Sequence, residues 1–309
     1  MSRKILVFGI SGELGSRFAH LALQAGHEVY GVSRGRNVRP GADVSGAEIF
    51  TGDKLDREFL ADLAQRIQPD VILDTIPSVA MLDNIREFFP QVKNVFMVSS
   101  TGTFVPLQGL PADETHPWRE PNEVNFHGKI ANDKHALELF DKYKFPVTIF
   151  RPTNIIGDGR VPLDLYGGRD IEFFRALKKS EPLTLPDCRE VLLQSGCNWD
   201  LSRAMFLALK ADSKDIAGEI IVISCRQAIR IKDYLKFAME YLNSHSEITW
   251  MDADDFQAQH PEHTGLRFLR EHMCFNISKA EALLGYKPEY TAREGLLRAL
   301  EWCEKSGVL

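Results

Sequence analysis

Two rhythms of apolar and polar residues alternate along the first hundred positions. Ile5-Leu6-Val7-Phe8 is an unbroken apolar run, as a strand buried on both faces requires, and from about Leu14 to Ala25 the apolar positions recur at helical spacing. The same pair of patterns then repeats. Short apolar runs at Glu28–Val32, Glu48–Phe50, Val71–Asp74 and 94–98 predict strands, and the intervening segments 56–67 and 80–89 predict helices. Strands alternating with helices in this way predict a parallel sheet covered on both faces and joined by right-handed crossovers. Ligands of such a sheet gather at the carboxyl ends of its strands. Beyond residue 157 the alternation loosens. A loop-rich stretch, Asp158 to Gly168, precedes predicted helices at 170–179, 199–209 and 231–242 and predicted strands at 183–185, 218–224 and 248–251.

The fold class predicted is therefore α/β: a Rossmann-type doubly wound parallel sheet over residues 1–156, with returning segments at about 199–225, and a smaller C-terminal α/β substrate-binding part over 157–309. No internal repeat or low-complexity segment interrupts it.

The turn between the first strand and the first helix carries the first candidate chemistry. Phe8-Gly9-Ile10-Ser11-Gly12-Glu13-Leu14-Gly15 spaces its glycines G-x-x-G-x-x-G, which suits a tight turn, close backbone approach to a pyrophosphate and close packing of helix on strand. Gly9, Ser11, Gly12, Glu13, Leu14 and Gly15 are therefore candidate cofactor contacts, the alternative being a glycine-rich turn without a ligand. An acidic residue at the end of the second strand would hold the adenosine ribose hydroxyls of NAD. Here Ser33 and Arg34 stand there, with Arg36 just beyond, and a guanidinium with paired donors suits a 2′-phosphate. NADP(H) is accordingly preferred over NAD(H), against the alternative that these arginines are solvated loop charges. Asp53, with Lys54 beside it at the end of the third strand, is placed to accept from the adenine amino group; Asp56 is the better helix cap. The end of the fourth predicted strand adds Ile76 and Pro77 to the candidate cofactor contacts.

Charge and cysteine usage narrow the partners. With 37 basic against 43 acidic residues the net charge is −6, which disfavours nucleic acid as a partner. Five cysteines, Cys188, Cys197, Cys225, Cys274 and Cys303, form no C-x-x-C pair and argue against a disulfide framework or a zinc ribbon. No run of 18 apolar residues and no charged leader with an apolar core appears, so a cytoplasmic, membrane-free protein is expected. Its expected partners are a small-molecule substrate and, for assembly, a second copy in a homodimer. The stretch Gln259-His260-Pro261-Glu262-His263 could suggest a metal, but histidines in a polar loop usually face water, and no metal is expected.

Taken together, these segments resemble the extended short-chain dehydrogenase/reductase family, the NAD-dependent epimerase/dehydratase proteins, over essentially the whole chain. Gly52-Asp53-Lys54-Leu55-Asp56 resembles the family's G-D-x-x-D, and Phe96 to Thr101 resembles the strand that ends in the catalytic serine or threonine. Phe150 to Gly157 is similar to its R-P-x-N-x-x-G segment beside the nicotinamide, so the resemblance implies Pro152, Thr153 and Asn154, with Ser99, as cofactor contacts, and Leu284-Gly285-Tyr286-Lys287-Pro288 resembles a signature of sugar-nucleotide members. The resemblance implies an epimerase, dehydratase or reductase acting on a hydroxyl/keto substrate such as a nucleotide sugar, with Thr101 holding a substrate oxygen. Thr101 could otherwise be a strand-end turn residue.

The catalytic Tyr-x-x-x-Lys of the family is where the chain departs. Lys134 with Glu138 fits its lysine and the acidic residue that follows, and Lys134 would then bond the nicotinamide ribose, but Ile130 occupies the tyrosine position. Isoleucine has no proton to exchange. His127, at spacings of three and seven from Ile130 and Lys134, shares their helix face and is a candidate replacement acid/base, unless it is a solvated helix-start residue. Arg160 and Tyr166 are the candidate substrate contacts. Loss of the tyrosine also resembles atypical branches, including chloroplast stem-loop-binding proteins associated with RNA. A non-redox dinucleotide-binding protein, either a redox sensor or an RNA-associated relative, is therefore the alternative function.

Overall fold

The computed structural model describes residues 2–35, 41–121, 124 and 126–309, with the side chain of His127 outside that set. Seven parallel strands form the main sheet: β1 (Lys4–Phe8), β2 (Glu28–Ser33), β3 (Glu48–Thr51), β4 (Val71–Asp74), β5 (Asn94–Val98), β6 (Val147–Pro152) and, after a long excursion, β11 (Ile220–Ile223). Their order is β11-β6-β5-β4-β1-β2-β3. The chain runs outward from β1 to β3, then crosses back to β4, so a crevice opens at the carboxyl ends of β1 and β4.

The unbroken apolar run of β1 has a direct physical reading. Side chains of a strand alternate faces, so Ile5 and Val7 enter one core while Leu6 and Phe8 enter the other. On the first face lie α1 (Glu13–Gln24) and α6 (Asn198–Leu207), which pack on each other and contribute Phe18, Leu201 and Met205. On the second lie α2 (Arg57–Arg66), α3 (Val79–Phe88) and α4 (His127–Tyr143), with Leu60, Met81, Ile85 and Leu139. Asp56 caps α2 by accepting from the amides of Glu58 and Phe59, and Ser78 caps α3 through the amide of Met81.

A third core lies in the C-terminal half. There α5 (Ile171–Lys178), α8 (Ile231–Leu242), α9 (Ala253–Gln259), α10 (Leu266–Leu269) and α12 (Ala292–Lys305) enclose Phe174, Leu185, Tyr234, Phe256 and Leu300. Small sheets support them: β7 (Asn154–Ile156) with β10 (Ser195–Cys197), β8 (Leu183–Pro186) with β13 (Ile248–Met251), and β9 (Leu192–Leu193) with β12 (Ile229–Arg230). The short α7 (Ser213–Ile216) leads into β11, and α11 (Ser278–Leu284) returns to the first core. Tyr286, just after α11, is fully buried there and its hydroxyl donates to the carbonyl of Ser224 at 3.0 Å. This second return, which the sequence reading assigned to the substrate part, packs against the sheet because Ile277, Ala280 and Leu284 form one apolar stripe.

Candidate active site

A cavity of about 860 Å³ opens in the crevice. Its walls run from the glycine turn, past the ends of β2, β3 and β4, to Ser99, Thr101 and Asn154, and on to Phe268, Leu269 and Met273 of the C-terminal part.

At the near end the turn is built for close approach. Gly9 has φ +87°, and Gly15 lies against the Gly9 carbonyl, so a side chain at either position would collide with Thr75 or with the turn itself. Gly12 differs: only the Gly9 carbonyl oxygen, at 3.1 Å, lies within 4 Å of where its side chain would start. Gly12 also caps α1 without a side-chain bond. The first amides of α1 thus face an open, cavity-lining turn, the arrangement that holds a pyrophosphate. These residues fit a dinucleotide.

Arg34 is exposed, lines the cavity and makes no hydrogen bond or ion pair among the described residues. Ser33 and Ser11 lie together with their hydroxyls 3.1 Å apart. Arg36, the other arginine proposed for a phosphate clamp, falls outside the described residues. Asp53 is exposed at the cavity edge and accepts from the amide of Leu55 at 3.0 Å. Lys54 lines the cavity, but its ammonium is committed to Asp74 at 2.8 and 2.9 Å and to the carbonyl of Ile76, fastening the third strand end to the fourth. Ile76 lines the cavity, while Pro77 lies in an adjoining shallow depression with Asn132.

At the far end of the crevice a buried polar group sits beneath the floor. Asp133 Oδ2 accepts from the Ser99 hydroxyl at 2.8 Å and from Arg151 Nε at 2.9 Å. Both charged side chains are fully enclosed, and the Arg151 guanidinium lies between Phe104 and Trp118, its Cζ 4.2 and 4.4 Å from the ring centroids. Thr101 lines the cavity and its hydroxyl donates to the carbonyl of Pro152 at 3.3 Å.

Lys134 is exposed and is not in the cavity wall; Lys129 is. Five residues advance a helix by about 140° beyond a full turn, so the two lysines cannot share a face. Ile130, read as the tyrosine position, is buried in the core instead. Lys129 is followed four residues later by Asp133, so the family's lysine-to-acid spacing is also met five residues earlier, and the position four before Lys129 is Asn125. Asn125 falls outside the described residues, as does the side chain of His127. The Lys129 ammonium makes no hydrogen bond or ion pair among the described residues, and burial pulls its pKa below the ordinary lysine value, against the opposing pull of Asp133 and Asp74.

The profile of the NAD dependent epimerase/dehydratase family matches residues 5–80 and 74–224. The chain belongs to this family.

Among curated proteins, the chain is 26% identical over 309 residues to the chloroplast stem-loop binding protein of 41 kDa b of Arabidopsis thaliana, covering 95% of this chain and 77% of that protein. It is 26% identical over 217 residues to isoflavone reductase homolog P3 of the same plant, covering 59% of this chain and 66% of that protein. Two solved structures share the fold. UDP-glucose 4-epimerase of Thermotoga maritima with UDP-glucose matches with a TM-score of 0.76 at 17% identity, covering 98% of this chain and 99% of that one. The dTDP-glucose 4,6-dehydratase of Bacillus anthracis with NAD matches with a TM-score of 0.77 at 18% identity, covering 99% and 98%.

The remaining sequence-based candidates separate. Pro152, Thr153 and Asn154 line the cavity, with Thr153 bonded to Ser224 and Asn154 Nδ2 donating to Ser195 at 2.9 Å. Glu13 lines it too, but its carboxylate is nearly buried and turned to Arg160 at 2.9 Å and Asn198 at 3.1 Å. Arg160 is thereby in the wall, whereas Tyr166 is not: its ring stacks on Phe256 and on His263, 4.7 Å between centroids, in the third core. His260, Glu262 and His263 do converge, with potential ligand atoms within 4.8 Å, at a half-exposed loop. Sequence reading missed Lys129, Phe126, Arg169, Leu193 and Phe268 as wall residues. Only Lys129 had a signal in the sequence, its spacing from Asp133. Among the described residues no helix is long and apolar enough to cross a membrane.

Proposed function

We propose that the chain is an NADP(H)-dependent oxidoreductase of the epimerase, dehydratase or reductase type, acting on a hydroxyl or keto group of a small molecule. The observation that carries this reading is the continuous cavity that joins the uncapped glycine turn and the unpaired Arg34 to Thr101 and Lys129. The turn would hold the pyrophosphate, and Arg34 with Ser33 the 2′-phosphate, an acidic residue being absent there. When bound, the cofactor supplies or takes a hydride. Thr101 orients the substrate oxygen at the end of β5.

Proton transfer is assigned to Lys129 among the described wall residues, with His127, whose side chain lies outside them, as the other candidate. Of the titratable side chains in the wall, Glu13 is paired with Arg160, Lys54 with Asp74, and Asp53 sits by the second and third strand ends. The arginines keep their protons throughout the working range. Lys129 alone is unpartnered among the described residues and shifted toward neutrality by burial, which suits a group that must give up a proton. It would stand in for the tyrosine that the sequence lacks.

The test is a titration of tryptophan fluorescence with NADPH and NADH. NADPH is expected to bind more tightly, and Arg34→Ala to weaken NADPH by roughly tenfold while leaving NADH unchanged, an exposed charge-assisted contact being worth about 1–2 kcal/mol. Tighter NADH binding would sink the phosphate argument.

The absent tyrosine also favours a second reading, a protein that holds the dinucleotide without redox turnover. It predicts NADPH binding of the same strength and no hydride transfer with any carbonyl probe, with Lys129→Met changing affinity alone.

A further inference from the structure

Building on the oxidoreductase reading, we propose that the substrate end of the cavity takes an uncharged apolar carbonyl compound or alcohol bearing an aromatic ring, and not a nucleotide sugar. Past Thr101 the wall includes Phe126, Leu163, Leu193, Phe268, Leu269 and Met273. Phe126 and Phe268 stack with ring centroids 5.0 Å apart and planes at 24°, so residues far apart in sequence form one aromatic wall. The ring of Phe126 lies directly over Gly102, where any side chain would collide with it, and Gly102 adjoins Thr101. The aromatic pair therefore stands beside the residue that would orient the substrate oxygen. Phe126 is 40% exposed, an apolar area left open at the cavity mouth.

The polar groups at this end are already committed. Arg169 donates from Nη1 to the carbonyl of Val161 and from Nη2 to Asn154 Oδ1 and the carbonyl of Ile155, each at 2.8 Å. Asn154 spends its amide nitrogen on Ser195, and Arg160 commits Nη1 to Glu13. A nucleotide sugar would bring two phosphate charges and a set of hydroxyls against a stretch of wall that offers only carbon and sulfur, beside an Arg169 and an Asn154 already engaged with each other and with the chain. Each unpaired polar group carries a desolvation cost. An aromatic ring meets the reverse situation: the wall offers it stacking and aliphatic contact, and only the oxygen at the reacting carbon needs a polar partner. Thr101 and Lys129 supply that partner.

Isothermal titration calorimetry tests this with three probes, 4-phenylbutan-2-one, its anionic analogue 2-oxo-4-phenylbutanoate, and UDP-glucose, each added to the free protein and to protein with NADP⁺. The neutral ketone is expected to bind about tenfold or more tightly than UDP-glucose, and Phe268→Ala to weaken it by about tenfold, the worth of one stacked ring. Leu193→Asn, which keeps the wall's volume but makes it polar, is a second variant expected to weaken the ketone. Tighter binding of UDP-glucose or of the anionic analogue, or no ketone binding at millimolar concentration, overturns the proposal. The oxidoreductase reading fails separately: if NADP⁺ does not bind, the ketone titration of the free protein still reads the apolar pocket.

Discussion

Asp133→Asn is the sharpest probe of how the floor of the site is held. The substitution keeps the size of the side chain, so it opens no cavity. It removes the carboxylate that is bonded to Arg151, whose guanidinium is fully buried between Phe104 and Trp118. Arg151 then becomes a buried cation without its bonded counter-charge, only Glu114 acting on it from further off, and breaking such a pair by removing one partner costs about 3–5 kcal/mol. Against a total stability of about 5–15 kcal/mol this is a large fraction. At about 2–4 °C per kcal/mol for a chain of comparable size, the melting temperature should fall by roughly 6–20 °C. Urea unfolding followed by tryptophan fluorescence measures the loss directly. The pair is incompletely satisfied in the folded state: Asp133 Oδ1 and both amino nitrogens of Arg151 make no hydrogen bond. The double variant Asp133→Asn with Arg151→Met should therefore regain most of the loss, because the cost lies in the stranded charge and not in a missing bond. A loss below about 1 kcal/mol for Asp133→Asn, or a double variant no better than the single, would refute the account.

Two further substitutions test the near end of the site. Lys129→Met should stabilise the protein at neutral pH while weakening NADPH by roughly tenfold, since an unpartnered ammonium held in the wall is costly to bury and useful to a ligand. The folded-state pKa of Lys129 lies below its ordinary value of 10.5 because of burial, so between the two values the folded chain binds fewer protons than the unfolded one and wild-type stability rises with pH. The advantage of Lys129→Met must then shrink as pH climbs toward that ordinary value; an advantage that grows with pH contradicts the buried-ammonium argument. Gly9→Ala should cost about 1–3 kcal/mol in urea unfolding and abolish tight NADPH binding, because its φ of +87° and the Thr75 hydroxyl both exclude a side chain. Gly26→Ala, with φ +80° but open space around it, bears only the backbone strain and should cost less.

The layered core was legible in the sequence because each of its elements carries its own signal. The doubly buried β1 needs four apolar residues in a row, and α1 needs apolar residues at helical spacing, whatever the rest of the chain does. The glycine turn and the strand-end Arg34 were legible for the same reason. Helix α4 was not legible at the level of its catalytic face. Its sequence offers two lysines, Lys129 and Lys134, each with an acidic residue four positions on, and without the tyrosine nothing in the pattern chooses between them. Burial chooses: Ile130 and Asp133 turn into the core, and that rotation brings Lys129 to the cavity and Lys134 to the solvent. The apolar substrate wall was invisible for a different reason. Phe126 and Phe268 are brought together by the fold of the C-terminal part over the sheet, and no local periodicity records a contact between residues so distant in sequence. Tyr166 shows the converse, a loop aromatic that looked available to a substrate and is consumed by stacking on Phe256 and His263.

That C-terminal part is not placed by apolar packing alone. Glu13, in the first turn of α1, joins Arg160 and Asn198, and Asn198 donates in turn to the carbonyl of Asp158 at 2.8 Å. Arg17, one turn further along α1 and almost completely buried, donates to the carbonyl of Asp158 and, at 2.8 Å, to its carboxylate, while Arg298 of α12 reaches the other carboxylate oxygen at 3.1 Å. Burial alone would raise the Asp158 pKa, but Arg17 and Arg298 outweigh it and hold the carboxyl below its ordinary value. Trp199 closes the group, with the Arg17 guanidinium 5.3 Å from its ring centroid. Four segments, α1, the 158–160 loop, α6 and α12, thus meet around two carboxylates at the base of the glycine turn. Charges this closely matched are costly to separate, so the loop that carries Arg160 and leads to Leu163 and Arg169 is fixed relative to the turn that would hold the pyrophosphate. The glycine turn at one end of the cavity and the loop that carries Arg160 toward the other are in this way positioned by one network.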